Sequence, residues 1–272
     1  MPATELNQTD STLAFYEQYY TAAAASPAYA EFCTRLFGRN YAQHGFADMV
    51  QVDLLLQVAN LTPASSVLEL GCGNGGIAAY IASVTGAHVT GIDYAQAAIA
   101  QAQAFAAAQP GQLTFQVADI GHLPFPPASF DAIIAIDTLY FTELTHTVGQ
   151  LKQLLAPGGQ LLAYYSQGAN PQVPLAVFPK ESLPPDCTDL AAALRQAGFG
   201  FSTWDLTAAD YRHAQRKQAV LEELQTAFVA EDADFLYASR IGEAHGVIAA
   251  VEAGAHARYL YQAMIGATKL RE

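Results

Sequence analysis

Apolar positions along the chain change rhythm twice. Between residues 12 and 60 they recur at helical spacing, in TLAFYEQYYTAAAA and YAEFCTRLFG, with Ser26-Pro27 as a break between two helices. ADMVQVDLLLQVANL reads as a third helix, leading to Thr62-Pro63. From residue 65 short apolar strands alternate with helices. SSVLEL (65–70) runs into a glycine-rich turn and the helix NGGIAAYIASVTG, closed by Gly86. AHVTGID (87–93) is a strand, and YAQAAIAQAQAFAAAQ a helix ended by Pro110-Gly111. QLTFQVAD (112–119) and FDAIIAID (130–137) are further strands, the latter apolar enough for burial on both faces. ELTHTVGQLKQLLA is a helix, Pro157-Gly158-Gly159 a turn, and QLLAYYS a fifth strand. This alternation predicts an α/β doubly wound sheet with right-handed crossovers. The Pro-rich QGANPQVPLAVFPKESLPPD reads as a long loop. DLAAALRQAGFG is a helix and FSTWDL a sixth strand. About fifty residues of helical periodicity follow, broken near Glu231-Asp232, before a seventh strand, ARYLYQAM (257–264).

Composition narrows the class. The chain has 272 residues, 52% hydrophobic and 14% charged, enough for one large domain with an insertion and too apolar for disorder. Its formal net charge of −13 repels phosphate backbones, so nucleic acid is not an expected partner; a cationic substrate or a merely acidic surface both fit. Cys33, Cys72 and Cys187 lie far apart with no C-x-x-C pair, so neither a disulfide framework nor a metal site is expected. MPATELNQTD has neither a basic start nor an apolar run, and no apolar segment approaches the ~18 residues that span a bilayer, so a cytoplasmic protein is expected.

The densest signal is VLELGCGNGG, residues 67–76. A strand enters Gly71-Cys72-Gly73-Asn74-Gly75-Gly76 and leaves as a helix. Glycines there permit a tight turn and close approach of a ligand, and the helix start offers free N–H groups. Gly71, Gly73 and Gly76 also satisfy the G-x-G-x-x-G pattern of nicotinamide-dependent oxidoreductases, and Asp93 would hold ribose hydroxyls in either case. Three further features separate the two: Glu69 two residues before the first glycine, Asp119 ending the third strand, and Pro157-Gly158-Gly159 before the fifth. Together, over roughly residues 40–206, they resemble the class I S-adenosylmethionine-dependent methyltransferases.

That resemblance implies a Rossmann-like seven-stranded sheet, mostly parallel with an antiparallel last strand. It implies N-terminal helices on the substrate side (residues 1–60), and a methyltransferase domain over 61–272 with a helical insertion at about 208–254. It implies that Gly71, Cys72, Gly73 and Gly75 pack against S-adenosyl-L-methionine. Glu69 would orient the methionine amino group and Asp93 would accept both ribose hydroxyls. Tyr94 and Ile120 would flank the adenine, Asp119 would accept from its amino group, and Asp137 would face methionine and substrate. Tyr20, sharing a helical face with Tyr16 in FYEQYY, would close over the cofactor. Plainer alternatives stand beside these: helix packing for Gly76, a turn cap for Asp119, and core packing for the tyrosines.

The acceptor side is less legible. His44-Gly45-Phe46 resembles a His-Gly-aromatic segment of methyltransferases acting on sterols, tocopherols and alkaloids. It makes His44 a candidate general base or acceptor-orienting group, or else a cap for the helix starting near Ala47. Tyr140, with Phe141 and Glu143, follows the fourth strand, where ligands bind open α/β sheets. Glu243 and His245 form a polar island in the insertion. The expected reaction is methyl transfer to a small-molecule nitrogen, oxygen or carbon nucleophile, with a lean to an amine. A nicotinamide oxidoreductase and a non-catalytic cofactor-binding protein are the alternatives. The expected assembly is a monomer or homodimer without a metal.

Overall fold

The computed structural model describes residues 4–108, 110–168 and 174–266. The centre of the Pro-rich loop, residues 169–173, lies outside them. Seven strands form one sheet in the order β3-β2-β1-β4-β5-β7-β6. They are β1 (Ser66–Leu70), β2 (His88–Asp93), β3 (Leu113–Val117), β4 (Phe130–Ile136), β5 (Leu155–Gly168), β6 (Phe199–Asp205) and β7 (His256–Ile265). β1 to β5 pair in parallel, and β7 runs antiparallel between β5 and β6. The expected architecture therefore holds, antiparallel last strand included.

Nine α-helices surround the sheet among the described residues: α1 (Thr4–Ala25), α2 (Pro27–Phe37), α3 (Met49–Ala59), α4 (Gly76–Thr85), α5 (Gln96–Ala108), α6 (Leu144–Leu154), α7 (Asp189–Gln196), α8 (Thr207–Ala230) and α9 (Asp234–Glu252). Their starts follow from capping chemistry. The Ser26 hydroxyl accepts from Tyr29 N–H with Pro27 in the first helical turn, and Thr188 does the same for α7. Asp48 caps α3 by accepting from Gln51 N–H, so His44 is not that helix's cap. Glu143 caps α6 through Thr145 and His146, which gives it a structural role beside the site.

Side-chain alternation in the strands builds two cores. Leu68, Leu70, Ile133, Ala135, Leu161 and Ala163 face α6 and α7. Val67, Ala132, Ile134 and Leu162 face α3, α4 and α5. A third core joins α1, α2, α8, α9 and the start of α5. It places the N-terminal helices and the insertion side by side.

One element differs from expectation. Pro157-Gly158-Gly159 is not a separate turn: β5 runs through it, pairing Phe130 with Leu155 and then Ala132 with Gln160. The extra residues form a bulge in the ladder, with Gly158 left-handed at φ 82°. A Cβ on Gly159 would lie 2.9 Å from the Ala156 carbonyl oxygen and 3.1 and 3.2 Å from those of Phe130 and Asp131 in β4.

Candidate active site

The glycine turn lies at the carboxyl end of β1, between β2 and β4. Gly71, Gly73 and Gly75 have φ of 64°, 55° and 79°, a region other residues enter at a cost. Asp93 ties the turn to the next unit. One carboxylate oxygen accepts from Gly73 N–H at 2.9 Å and the other from Ala95 N–H at 2.9 Å. Burial raises its pKa, and those N–H donors oppose the rise. Glu69 is 2% exposed, and its Oε2 has no hydrogen-bond partner. Burial, with the charge of Asp93, pushes its carboxyl up to about 8. Cys72 is buried against Gly91, and burial pushes its thiol well up, so it is scaffold with an inert sulfur.

Helix α1 is clasped over this turn. A Cβ on Gly73 would sit 2.5 Å from the Tyr20 hydroxyl. The Glu17 carboxylate accepts from Gln96 and Ala97 N–H, at the positive start of α5. Gln101 donates back to the Tyr20 carbonyl at 2.9 Å. The Tyr16 ring spans from Tyr94 (6.0 Å) and Phe141 (5.9 Å) to His44 (5.0 Å).

The other predicted contacts are more mixed. The Tyr94 hydroxyl is buried without a partner, and burial pushes it up to about 12. Asp119 is largely exposed; it accepts from Gly121 N–H at 2.8 Å and pairs with His122, so it does cap its own turn. Ile120 packs on the first core. Gly76 allows α4 to approach Tyr41, whose Cβ would lie 2.5 Å from an added Cβ. The third glycine of the nicotinamide pattern thus has a packing role.

Asp137 departs from its expected place facing methionine and substrate. It is left-handed at φ 56°, and both its oxygens are held by the fully buried Arg258 of β7. One also accepts from Phe46 N–H at 2.8 Å. Asp137 therefore fastens the His44-Gly45-Phe46 segment to the end of β4. Gly45 is required there, since a Cβ would come within 2.9 Å of the carboxylate.

The His44 ring lies among Phe15, Tyr16 and Tyr19. Arg240 of α9 donates to both its carbonyl oxygen and its Nε2. A guanidinium only donates, so Nε2 presents a lone pair and the neutral ring carries its proton on Nδ1. Burial and the charges of Arg240 and Lys217 hold its pKa well below the usual imidazole value. His44 in this state is a donor at Nδ1 and no general base, which removes that half of the expectation. Glu243 is central to the same cluster: its Oε2 pairs with Arg240 at 2.9 Å and with Lys217 of α8. His245, two residues on, is exposed on another face of α9 and leaves the candidate site. The Tyr140 hydroxyl accepts from Ser166 N–H at 2.6 Å, its ring stacks on Tyr165, and burial raises its pKa, so it holds β5 in place and is no ready base. Arg240, Lys217 and Arg258 were absent from the sequence reading.

The sheet order, with its antiparallel last strand, is the fold of the class I S-adenosylmethionine-dependent methyltransferases. Residues 67–159 match the family described as a methyltransferase domain. A sterol 24-C-methyltransferase of Gibberella zeae is 30% identical over 165 residues, 58% of this chain and 43% of that protein. An O-methyltransferase of Penicillium expansum is 37% identical over 149 residues, 51% of this chain and 54% of that protein. The chain spans about half the length of these curated relatives. Among solved structures, phosphoethanolamine N-methyltransferase 2 of Haemonchus contortus, with phosphomonomethylethanolamine and S-adenosylhomocysteine, superposes with TM-score 0.73 at 17% identity. It covers 92% of this chain and 60% of its own. The 4+2 cyclase SpnF superposes at 0.69 and 20% identity, covering 92% and 95%. At these identities the structures speak for the fold.

The cofactor of that class fits the residues present. Glu69 offers a buried, unpartnered oxygen to an ammonium, and the left-handed glycines open the turn to a close ligand.

Proposed function

We propose that this chain transfers the methyl group of S-adenosyl-L-methionine to a small-molecule acceptor. The carrying observation is the spare carboxylate oxygen of Glu69, buried beside a glycine turn that Asp93 stitches open. An unpaired buried polar atom is costly, and a cationic ligand at that spot removes the cost. Asp93 keeps lone pairs for the ribose diol, Tyr94 flanks the adenine with Ile120, and Tyr20 covers the turn. Asp119 can reach an adenine amino group by opening its exposed contact with His122.

When bound, the cofactor supplies an electrophilic methyl group. The chain's share is placement: donor and acceptor held near ~3–3.5 Å and in line. Tyr16, Tyr20 and Tyr140, the segment at 44–46 and helix α9 line the acceptor side, so residues 1–60 and the insertion at about 208–254 are its natural substrate region. His44 orients the acceptor through Nδ1–H. The lean toward an amine is withdrawn, because Glu243 and Asp137 are both neutralised by buried cations and offer no free carboxylate to an ammonium. Nitrogen, oxygen and carbon acceptors are all compatible with a donor at this position.

The nicotinamide alternative has no support: the family match points elsewhere and Gly76 is filled by Tyr41. Because one fold hosts several reactions, a cyclase among them, the reaction must be read from turnover. Formation of S-adenosylhomocysteine with any acceptor in a panel of phenols, amines and carbon acids supports the proposal. Tight binding of NAD without binding of S-adenosylmethionine sinks it. Among the described residues no helix is long and apolar enough to cross a membrane. A cytoplasmic monomer or homodimer, free of nucleic acid, completes the proposal.

A further inference from the structure

Arg240 and Lys217 are both fully buried, at 2% and 0% exposure, and both pair with a single atom, Oε2 of Glu243. Arg240 also donates to His44 and Ser239, both uncharged. Two cations therefore face one carboxylate. The next acid whose charge reaches Lys217 is Asp210, which is already held by His256 at 2.7 Å and by Arg258 at 3.6 Å. A local excess of positive charge is thus sealed inside an acidic protein. Two details show that it is not internally satisfied. Arg240 Nε is buried with no acceptor. Lys217 rests on the face of Phe46, 4.1 Å from its centroid, a contact that eases an ammonium without neutralising it.

The cluster touches the site already described. Arg240 grips His44 at two atoms, His44 touches Tyr16, and Tyr16 reaches Tyr94 and Phe141 at the cofactor side. Phe46, under Lys217, belongs to the segment pinned to Asp137. Buried cations with one shared counter-ion are costly, and an oxyanion arriving with the substrate relieves that cost.

We propose that Arg240 and Lys217 form an anion subsite for the methyl acceptor, which carries a carboxylate or phosphate group. The inference rests on the methyltransferase reading above and adds the substrate's charge to it. Glu243 holds the two cations together in the free protein and competes with the incoming anion for them. The preference runs against the chain's overall charge of −13, which alone suggests cationic ligands. Local charge decides, because buried pairs are screened far less than surface ones.

The test is calorimetry on the full chain saturated with S-adenosylhomocysteine, using benzoate, phenyl phosphate and the neutral control benzamide. Benzoate or phenyl phosphate binds and benzamide does not; whichever of the two binds tighter tells a carboxylate acceptor from a phosphate one. K217M weakens that binding at least tenfold. E243Q, which frees both cations, tightens it at least tenfold. The opposite signs matter, since general damage to the fold weakens both variants alike. Both variants losing affinity, or neither changing, overturns the subsite. S-adenosylhomocysteine binding with no anion binding in wild type or E243Q overturns the subsite and leaves the methyltransferase reading standing. No binding of S-adenosylhomocysteine overturns that reading and the subsite with it.

Discussion

Binding of S-adenosylhomocysteine at pH 7 is expected to release a substantial fraction of a proton, with Glu69 as its source. In the free protein the Glu69 carboxyl is pushed up to about 8 by burial and by Asp93. At pH 7 roughly nine in ten molecules then carry it protonated. A ligand ammonium set against Oε2 favours the ionised form. An adjacent opposite charge lowers an acid by about 1–3 units, so the bound group falls to roughly 5–7. The difference is a release of roughly 0.4–0.9 proton at pH 7, shrinking to about 0.1 or less at pH 9. Proton release on binding means affinity rises with pH up to about 8 and then levels. The same shift sets a stability slope in the free protein. A carboxyl raised from 4.5 to about 8 contributes fully below 4.5, and that contribution is lost as pH rises through about 8. The assay is titration calorimetry in phosphate and Tris at one pH, where the slope of heat against buffer ionisation enthalpy counts protons. Glu69→Gln should abolish the slope. A wild-type slope of zero, or an unchanged slope in Glu69→Gln, refutes the placement of the ammonium beside Glu69.

The remaining predictions address other parts of the site. Asp93→Asn should weaken S-adenosylhomocysteine binding about 10–100-fold by calorimetry, the range for losing charge-assisted hydrogen bonds, and unchanged affinity would mean the ribose lies elsewhere. Gly73→Ala places a Cβ at φ 55° and 2.5 Å from the Tyr20 hydroxyl, so it should lower stability in thermal melts by about 1–2 kcal/mol and loosen cofactor binding. His44→Ala should bind cofactor normally while kcat falls about tenfold or more, and full turnover would return this histidine to the scaffold. Asp137→Asn keeps a residue that tolerates left-handed backbone but removes the nearer carboxylate of Arg258, leaving it only the longer pairing with Asp210. It should cost about 3 kcal/mol in urea unfolding, and Asp137→Asn with Arg258→Met should cost less than the sum of the two.

What the sequence showed and what it hid divide along a physical line. Ser26-Pro27, Gly86 and Pro110-Gly111 act within a few residues of themselves, so they mark helix ends in any context. VLELGCGNGG is legible for the same reason: positive φ, strand and helix all lie within ten residues. The bulge at 157–159 is local too, but whether such glycines end a strand or buckle it depends on β4 across the ladder. The buried charges belong to the opposite case. Arg240 reaches His44 across 196 positions, and Lys217 reads as one charge in the polar run QRKQ of a helix with no strong apolar face. Two signals were nonetheless available. Glu243 and His245 stand two apart, about 200° around a helix, so they could not serve one site, and only the former turns inward. Arg258 interrupts the apolar strand HARYLYQAMI, and a charge in a central strand demands a buried partner. That demand carries further than any motif here. Arg258 needs Asp137, Asp137 accepts from Phe46 N–H, and Lys217 sits on the Phe46 ring. On the proposed subsite, an acceptor that draws Lys217 toward itself is expected to shift Phe46 and with it His44, the proposed orienting group, so substrate charge and acceptor placement should be coupled.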